Sequence, residues 1–262
     1  MSSILAECHD FNFSESYAYA DMVRKHIFDD DCVIEITELA SDLENQIKKP
    51  KKWTLLHDYI KYIISSDIES NFGGPGWDYD CIEPLFSILD SHGVQYKSLD
   101  QYVSDLYKED GTDVEPAVTE EMLEDHKSEY ALFYFNEIVL EGLVSVITKE
   151  VFTLLFSDRN AMKKFNLKIA GEMGERTPRC KYWPSWLKTA VFCREKGLCA
   201  ICKCDLTAVW HTTGKLAIDH IVPINLNGIN DPTNLQVLCQ GCNGTKSGNE
   251  IVTSNVFPVY WK

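Results

Sequence analysis

Four cysteines constrain this 262-residue chain more than any other feature. Cys199 and Cys202 form one Cys-x-x-Cys pair, and Cys239 and Cys242 form a second. Such a knuckle presents two thiolates to one ion, and a second knuckle completes a tetrahedral site. All four ligands are sulfur, so an ion there is structural and any catalytic metal lies elsewhere. The intervening segment reads as a few short strands and a helix, too little to bury a core unaided. Zinc then has to supply the stability, on the order of 10 kcal/mol in such sites. A metal-free reading, four reduced cysteines in a core, stands beside it. Cys204 makes Cys-x-x-Cys-x-Cys, but the second pair leaves it surplus.

Between and around the knuckles lie Asp219-His220-Ile221-Val222-Pro223, then Asn234-Leu235-Gln236-Val237-Leu238, and finally Asn243 and Lys246. This run resembles the zinc-stapled HNH endonucleases, over roughly the last third of the chain. The first 170 residues carry no comparably specific motif. The resemblance implies a ββα-metal fold that hydrolyses phosphodiesters with one divalent ion, leaving 5′-phosphate and 3′-hydroxyl ends. It implies that His220 is the general base, Asp219 a metal-binding carboxylate, and Asn234 the residue that orients the base through neighbouring backbone. Asn243 stands where the third motif residue is often histidine, which makes this an HNN variant in which the asparagine gives an oxygen to the metal.

The side chains suit those roles on their own chemistry. Imidazole is the group best matched to deprotonating water near neutral pH, worth ~10²–10⁴ in rate. Carboxylate and amide oxygens are hard donors that favour Mg²⁺ or Mn²⁺, and such a cation stabilises charge on the phosphate. No histidine follows His220, which argues against relatives that use additional C-terminal histidines. Asp231-Pro232-Thr233-Asn234 and Asn243-Gly244 also read as ordinary turns, so for those asparagines the family pattern decides. Two other functions fit the same motif: a non-catalytic zinc adaptor and an RNA-cleaving effector.

The net charge of −15 is unusual for an enzyme of nucleic acid, but it is unevenly placed. Residues 1–170 hold 15 Lys/Arg and 33 Asp/Glu, or −18, whereas residues 171–262 hold 10 and 7, or +3. The expected architecture is α+β: a mostly α-helical, acidic domain at 1–157, a basic linker at 158–178, and a small ββα-metal domain with its four-cysteine structural zinc at 179–262. The acidic domain is expected to bind a protein partner or regulate the nuclease. Its aromatic-rich helix leaves an oligomer open. Arg176, Arg179, Lys181 and Lys246 are the expected DNA contacts, because cations beside the site would neutralise phosphates. Arg159 belongs to the same basic window, in which Lys163 to Lys168 read equally as a solvated linker helix.

Along the chain, apolar periodicity predicts helices over Thr37–Ile47 and Trp53–Ile64, and a loop over Asn71–Trp77 without the Lys-Ser/Thr of a phosphate-binding loop. Ser98-Leu99-Asp100-Gln101 is a capping-box pattern, and Thr119-Glu120-Glu121 caps a long helical stretch toward Phe156. That stretch is too polar for a membrane span. Pro184 opens a short helix ended by Gly197. Thr207–Trp210 and Lys215–Asp219 read as two strands around His211, an ordinary hairpin histidine. Asn234–Cys239 is extended, and Cys242 to about Gly248 is the helix carrying Asn243. Scattered free cysteines and a polar N-terminus point to a reducing cytoplasm. HNH modules joined to helical domains are associated with bacterial and phage defence and mobile elements.

Overall fold

The structure, a computed structural model, describes residues 11–14, 16–34, 47–72, 79–82, 85–108, 117–174, 176–213 and 216–259. The helix expected over Thr37–Ile47 falls almost wholly outside them, as does most of the loop expected over Asn71–Trp77. The fold is α+β, as expected: helices throughout and one small antiparallel sheet near the C-terminus. The contacts define two compact units. One comprises Met1–Ser16 and Ile63–Glu150, the other Tyr17–Tyr62 and Val151–Lys262.

In the first unit, helices α3 (Tyr79–Ile82), α4 (Leu85–Ser91) and α5 (Leu99–Tyr107) precede a long helical run. Ser98 forms the capping box that its sequence predicts: its hydroxyl accepts from the Gln101 N–H, and the Gln101 side chain accepts from the Ser98 N–H. The run from Thr119 to Phe156 is helical in three pieces: α6 (Glu120–Phe133), a π-helical segment (Tyr134–Leu143) and α7 (Val144–Phe156). Its buried face, Tyr130, Tyr134, Val139, Leu143 and Ile147, forms the core with Leu89 and Val103. A buried carboxylate, Glu150, accepts from the Ser16 hydroxyl at 2.5 Å and the Asn12 N–H at 3.0 Å. This unit holds the acid: 4 Lys/Arg against 23 Asp/Glu, or −19, leaving 21 against 17, or +4, on the other.

In the second unit, α1 (Ser16–Phe28) and the start of α2 (Leu55–Phe72) join α8 (Arg159–Glu172) and the C-terminal segment. Residues 158–178, expected as a basic linker, are instead largely α8, whose Ala161, Met162, Phe165 and Ile169 are buried. Three of their cations serve the fold: Arg159 pairs with buried Glu195, Lys164 with Asp30, and the Lys168 ammonium donates to the carbonyls of Asp29 and Cys32. Asp158 caps the helix through the N–H groups of Asn160 and Ala161.

Helix α9 (Ser185–Arg194) starts after Pro184, as predicted. The segment after it departs from expectation. Thr207–Thr213 is helix α10, not a strand, so His211 sits on a helix and no hairpin forms around it. The Asp205 carboxylate accepts from the Thr207 N–H (2.8 Å) and hydroxyl (2.6 Å), and Trp210 stacks on Phe192 with ring centroids 5.0 Å apart. A side-chain cap and a tertiary stack thus override the strand preference of Thr, Val and Trp. The sheet pairs β1 (Ala217–His220) with β2 (Leu235–Leu238), and α11 (Gln240–Thr245) follows. Leu187, Val191, Ala200, Leu206, Leu235 and Val237 make a real if small core around Cys199, so zinc is not the sole support expected for this segment. Among the described residues, no helix is long and apolar enough to cross a membrane.

Candidate active site

The thiols of Cys199, Cys202, Cys239 and Cys242 lie within 4.8 Å of one another. Cys202 Sγ and Cys239 Sγ are 3.8 Å apart, which matches the ~3.8 Å edge of a tetrahedron with ~2.3 Å zinc–sulfur bonds. Backbone donors stabilise thiolates here: the Cys239 N–H points to Cys199 Sγ at 3.4 Å and the Cys242 N–H to Cys239 Sγ at 3.3 Å. The backbone N–H of Cys204 contributes most to drawing the Cys202 thiol down, to about 6. The set fits zinc in number, donor type and spacing, and Cys204 lies outside it.

β1 and α11 contribute side chains to a cleft of about 400 Å³. Antiparallel register places Asp219 opposite Gln236 and His220 opposite Leu235, at the C-terminal end of β1. Asp219, His220, Asn243, Lys246 and Arg179 all line this cleft. Arg179 and Asn243 are exposed, whereas His220 is largely buried. Arg176 and Lys181 do not line the cleft; Lys181 faces a neighbouring groove. The Lys246 side chain is almost fully buried, and its ammonium donates to Asp219 Oδ2 and to the His220 carbonyl, each at 2.7 Å.

Beneath the cleft, Asn234 is fully buried and closes the loop that follows β1. Its Oδ1 accepts from the Val222 N–H (2.8 Å), and its Nδ2 donates to the carbonyls of Val222 (2.9 Å) and Ile229 (3.0 Å). Glycine is required at 228, where an added Cβ would lie 1.8 Å from the Val222 carbonyl oxygen. The neighbouring carboxylate of Asp231 is buried and splits its bonds: Oδ1 takes the N–H and hydroxyl of Thr233, and Oδ2 takes the Leu55 N–H at the start of α2. Burial pushes its carboxyl up, opposed by those hydrogen bonds.

Three residues around the site have no role assigned in the motif as read, although Gln236 stands within it. Asn230, fully buried, lies 3.0 Å from His220 Nε2 through its Oδ1. Its Nδ2 donates to the Lys48 (2.9 Å) and Pro178 (2.8 Å) carbonyls. Carbonyls only accept, so the amide orientation is fixed and Oδ1 must receive a proton from His220. The neutral imidazole therefore carries its hydrogen on Nε2 and its lone pair on Nδ1. Burial lowers the His220 pKa below the usual imidazole range, opposed by Asn230 and the Asp219 charge. Gln236 donates to Asp219 Oδ2 at 3.0 Å and to the Val252 carbonyl at 2.9 Å. Trp183 meets the His220 ring edge-on, with centroids 5.6 Å apart. Gln236 could have been found from strand pairing opposite Asp219; Asn230 sits in what reads as a plain turn.

Residues 199–249 match the model of the HNH endonuclease family. The C-terminal part of the chain thus contains an HNH domain, which at the family level means a metal-binding nuclease acting on nucleic acid, and the resemblance read from the motif stands. No match was found among curated proteins or among solved structures.

Proposed function

We propose that the protein is a metal-dependent HNH endonuclease that hydrolyses DNA phosphodiester bonds. The observation that carries this reading is one cleft lined by an imidazole hydrogen-bonded to buried Asn230, a carboxylate, an amide and a guanidinium. His220 takes the proton of the attacking water through Nδ1, because Nε2 is committed to Asn230. Asn234 fixes the backbone beyond His220 and so the ring's height over the cleft. Asp219, held through Oδ2 by Gln236 and Lys246, and Asn243 provide the oxygen donors. They suit Mg²⁺ or Mn²⁺, which when bound supplies Lewis-acid stabilisation of the phosphate. Arg179 and Arg176, exposed, are the phosphate contacts, with Lys181 in the adjoining groove, whereas Lys246 at the cleft wall is committed to Asp219 and the His220 carbonyl.

The acidic unit is the partner-binding or regulatory element, separate in charge from the basic unit that holds the cleft. A reducing cytoplasm agrees with a thiolate zinc site and free cysteines, and a setting in defence or mobile-element biology rests on the association of such modules with those systems. The test is nicking of supercoiled plasmid by purified protein with and without added Mg²⁺, beside matched RNA. Mg²⁺-dependent cutting of DNA is expected, lost in Asp219→Ala. Cutting that ignores the cation, or that favours RNA, contradicts the reading.

A further inference from the structure

Beside the catalytic cleft runs a second groove, of about 580 Å³. Its lining comes from two distant stretches: Lys48, Lys49 and Pro50, and the segment from Pro178 to Pro184. Arg179 and Cys180 line both spaces, so the groove continues the cleft. Among the described residues no acidic side chain lines it, and Lys48, Lys49, Arg179 and Lys181 supply cations. Its remaining walls are unlike those of a duplex-phosphate track: Pro50, Pro178, Pro184 and the Tyr182 ring, which is 72 % exposed. Successive residues divide the work. Trp183 lines the cleft and packs on His220, while Tyr182 lines the groove.

Asn230 joins the two stretches, donating to Lys48 on one side and Pro178 on the other. The same amide that orients the catalytic imidazole therefore also fixes the groove's two rims.

We propose that this groove binds an unpaired stretch of the DNA strand next to the scissile phosphate, with Tyr182 stacking on a base and Lys49, Lys181 and Arg179 on its phosphates. Apolar and aromatic walls fit base faces, which a duplex hides, and the cations fit the backbone; together they are the chemistry of single-strand recognition. The proposal rests on the nuclease reading for the identity of the substrate as DNA, but binding is measurable without cleavage.

The experiment is fluorescence anisotropy of the full chain, without added divalent cation, on a labelled single strand, its duplex and an RNA of the same sequence, over a range of salt. Tyr182→Ala should weaken single-strand binding ~10-fold and leave duplex binding within twofold, as one lost base stack allows. Lys49→Ala with Lys181→Ala should reduce the slope of log affinity against log salt by about 1.4, two contacts at ~0.7 each. Lys97→Ala with Lys127→Ala, equal charge lost from the acidic unit, should leave it unchanged. Unaltered single-strand affinity and slope in the groove variants overturn the proposal, as does an equal loss on duplex. Tighter binding of the RNA overturns the choice of DNA. Plasmid nicking on the same preparations separates the two readings. Normal nicking with indifferent groove variants removes the groove alone, and groove-dependent binding by a wild type that never nicks removes the nuclease alone.

Discussion

Asn230 spends both amide protons on backbone carbonyls that lie 182 and 52 residues away in sequence. That leaves its oxygen for His220 and selects one imidazole tautomer. A positioning role of this kind has a direct signature. In ¹H–¹⁵N two-bond correlations, His220 should read as Nε2-protonated in the wild type and as a tautomer mixture in Asn230→Ala. The same substitution should slow single-turnover cleavage ~10- to 100-fold, the cost of leaving one buried polar group unpaired. An Nδ1-protonated His220 in the wild type contradicts the account. Sequence alone brings out His220, Asp219, Asn234 and Asn243, because their chemistry and spacing are local. Asn230 is illegible there, since nothing near position 230 announces the two remote carbonyls. Lys246 shows the same limit: its charge suggests a phosphate contact, but only the fold reveals that its ammonium is buried against Asp219.

At the scale of elements, local signals were legible where one local interaction decides the outcome. The capping box at Ser98, the helix after Pro184 and the strand after Asn234 all form as their residues dictate. Thr207–Thr213 was misleading because strand preference reflects packing on a sheet, and here no partner strand exists among the described residues. Asp205 caps the segment and Phe192 receives Trp210 instead. The basic helix Arg159–Glu172 misled in another way. Its charges read as a basic linker facing phosphate or solvent, yet Arg159 is nearly fully buried, with its guanidinium over the Phe257 ring and paired to Glu195. A charge run says where cations lie along the chain and nothing of which anions the fold brings to them.

At the scale of the whole molecule, the HNH segment shares its unit with Tyr17–Tyr62. The Asn230 N–H donates to the Ile47 carbonyl, Asp231 receives the Leu55 N–H, and Tyr59 packs against Phe165. A fragment beginning at residue 158 lacks all of these partners. It should melt well below the full chain and cut no DNA, by circular dichroism and nicking assay, even with zinc bound. A folded fragment cutting at the full-length rate contradicts this dependence. The most direct measurement of the central claim is single-turnover DNA cleavage by full-length His220→Ala beside wild type, with zinc content determined in both. The account predicts a loss of ~10²-fold or more, about 3 kcal/mol of barrier, at unchanged zinc content. A variant that cuts as fast as wild type contradicts it.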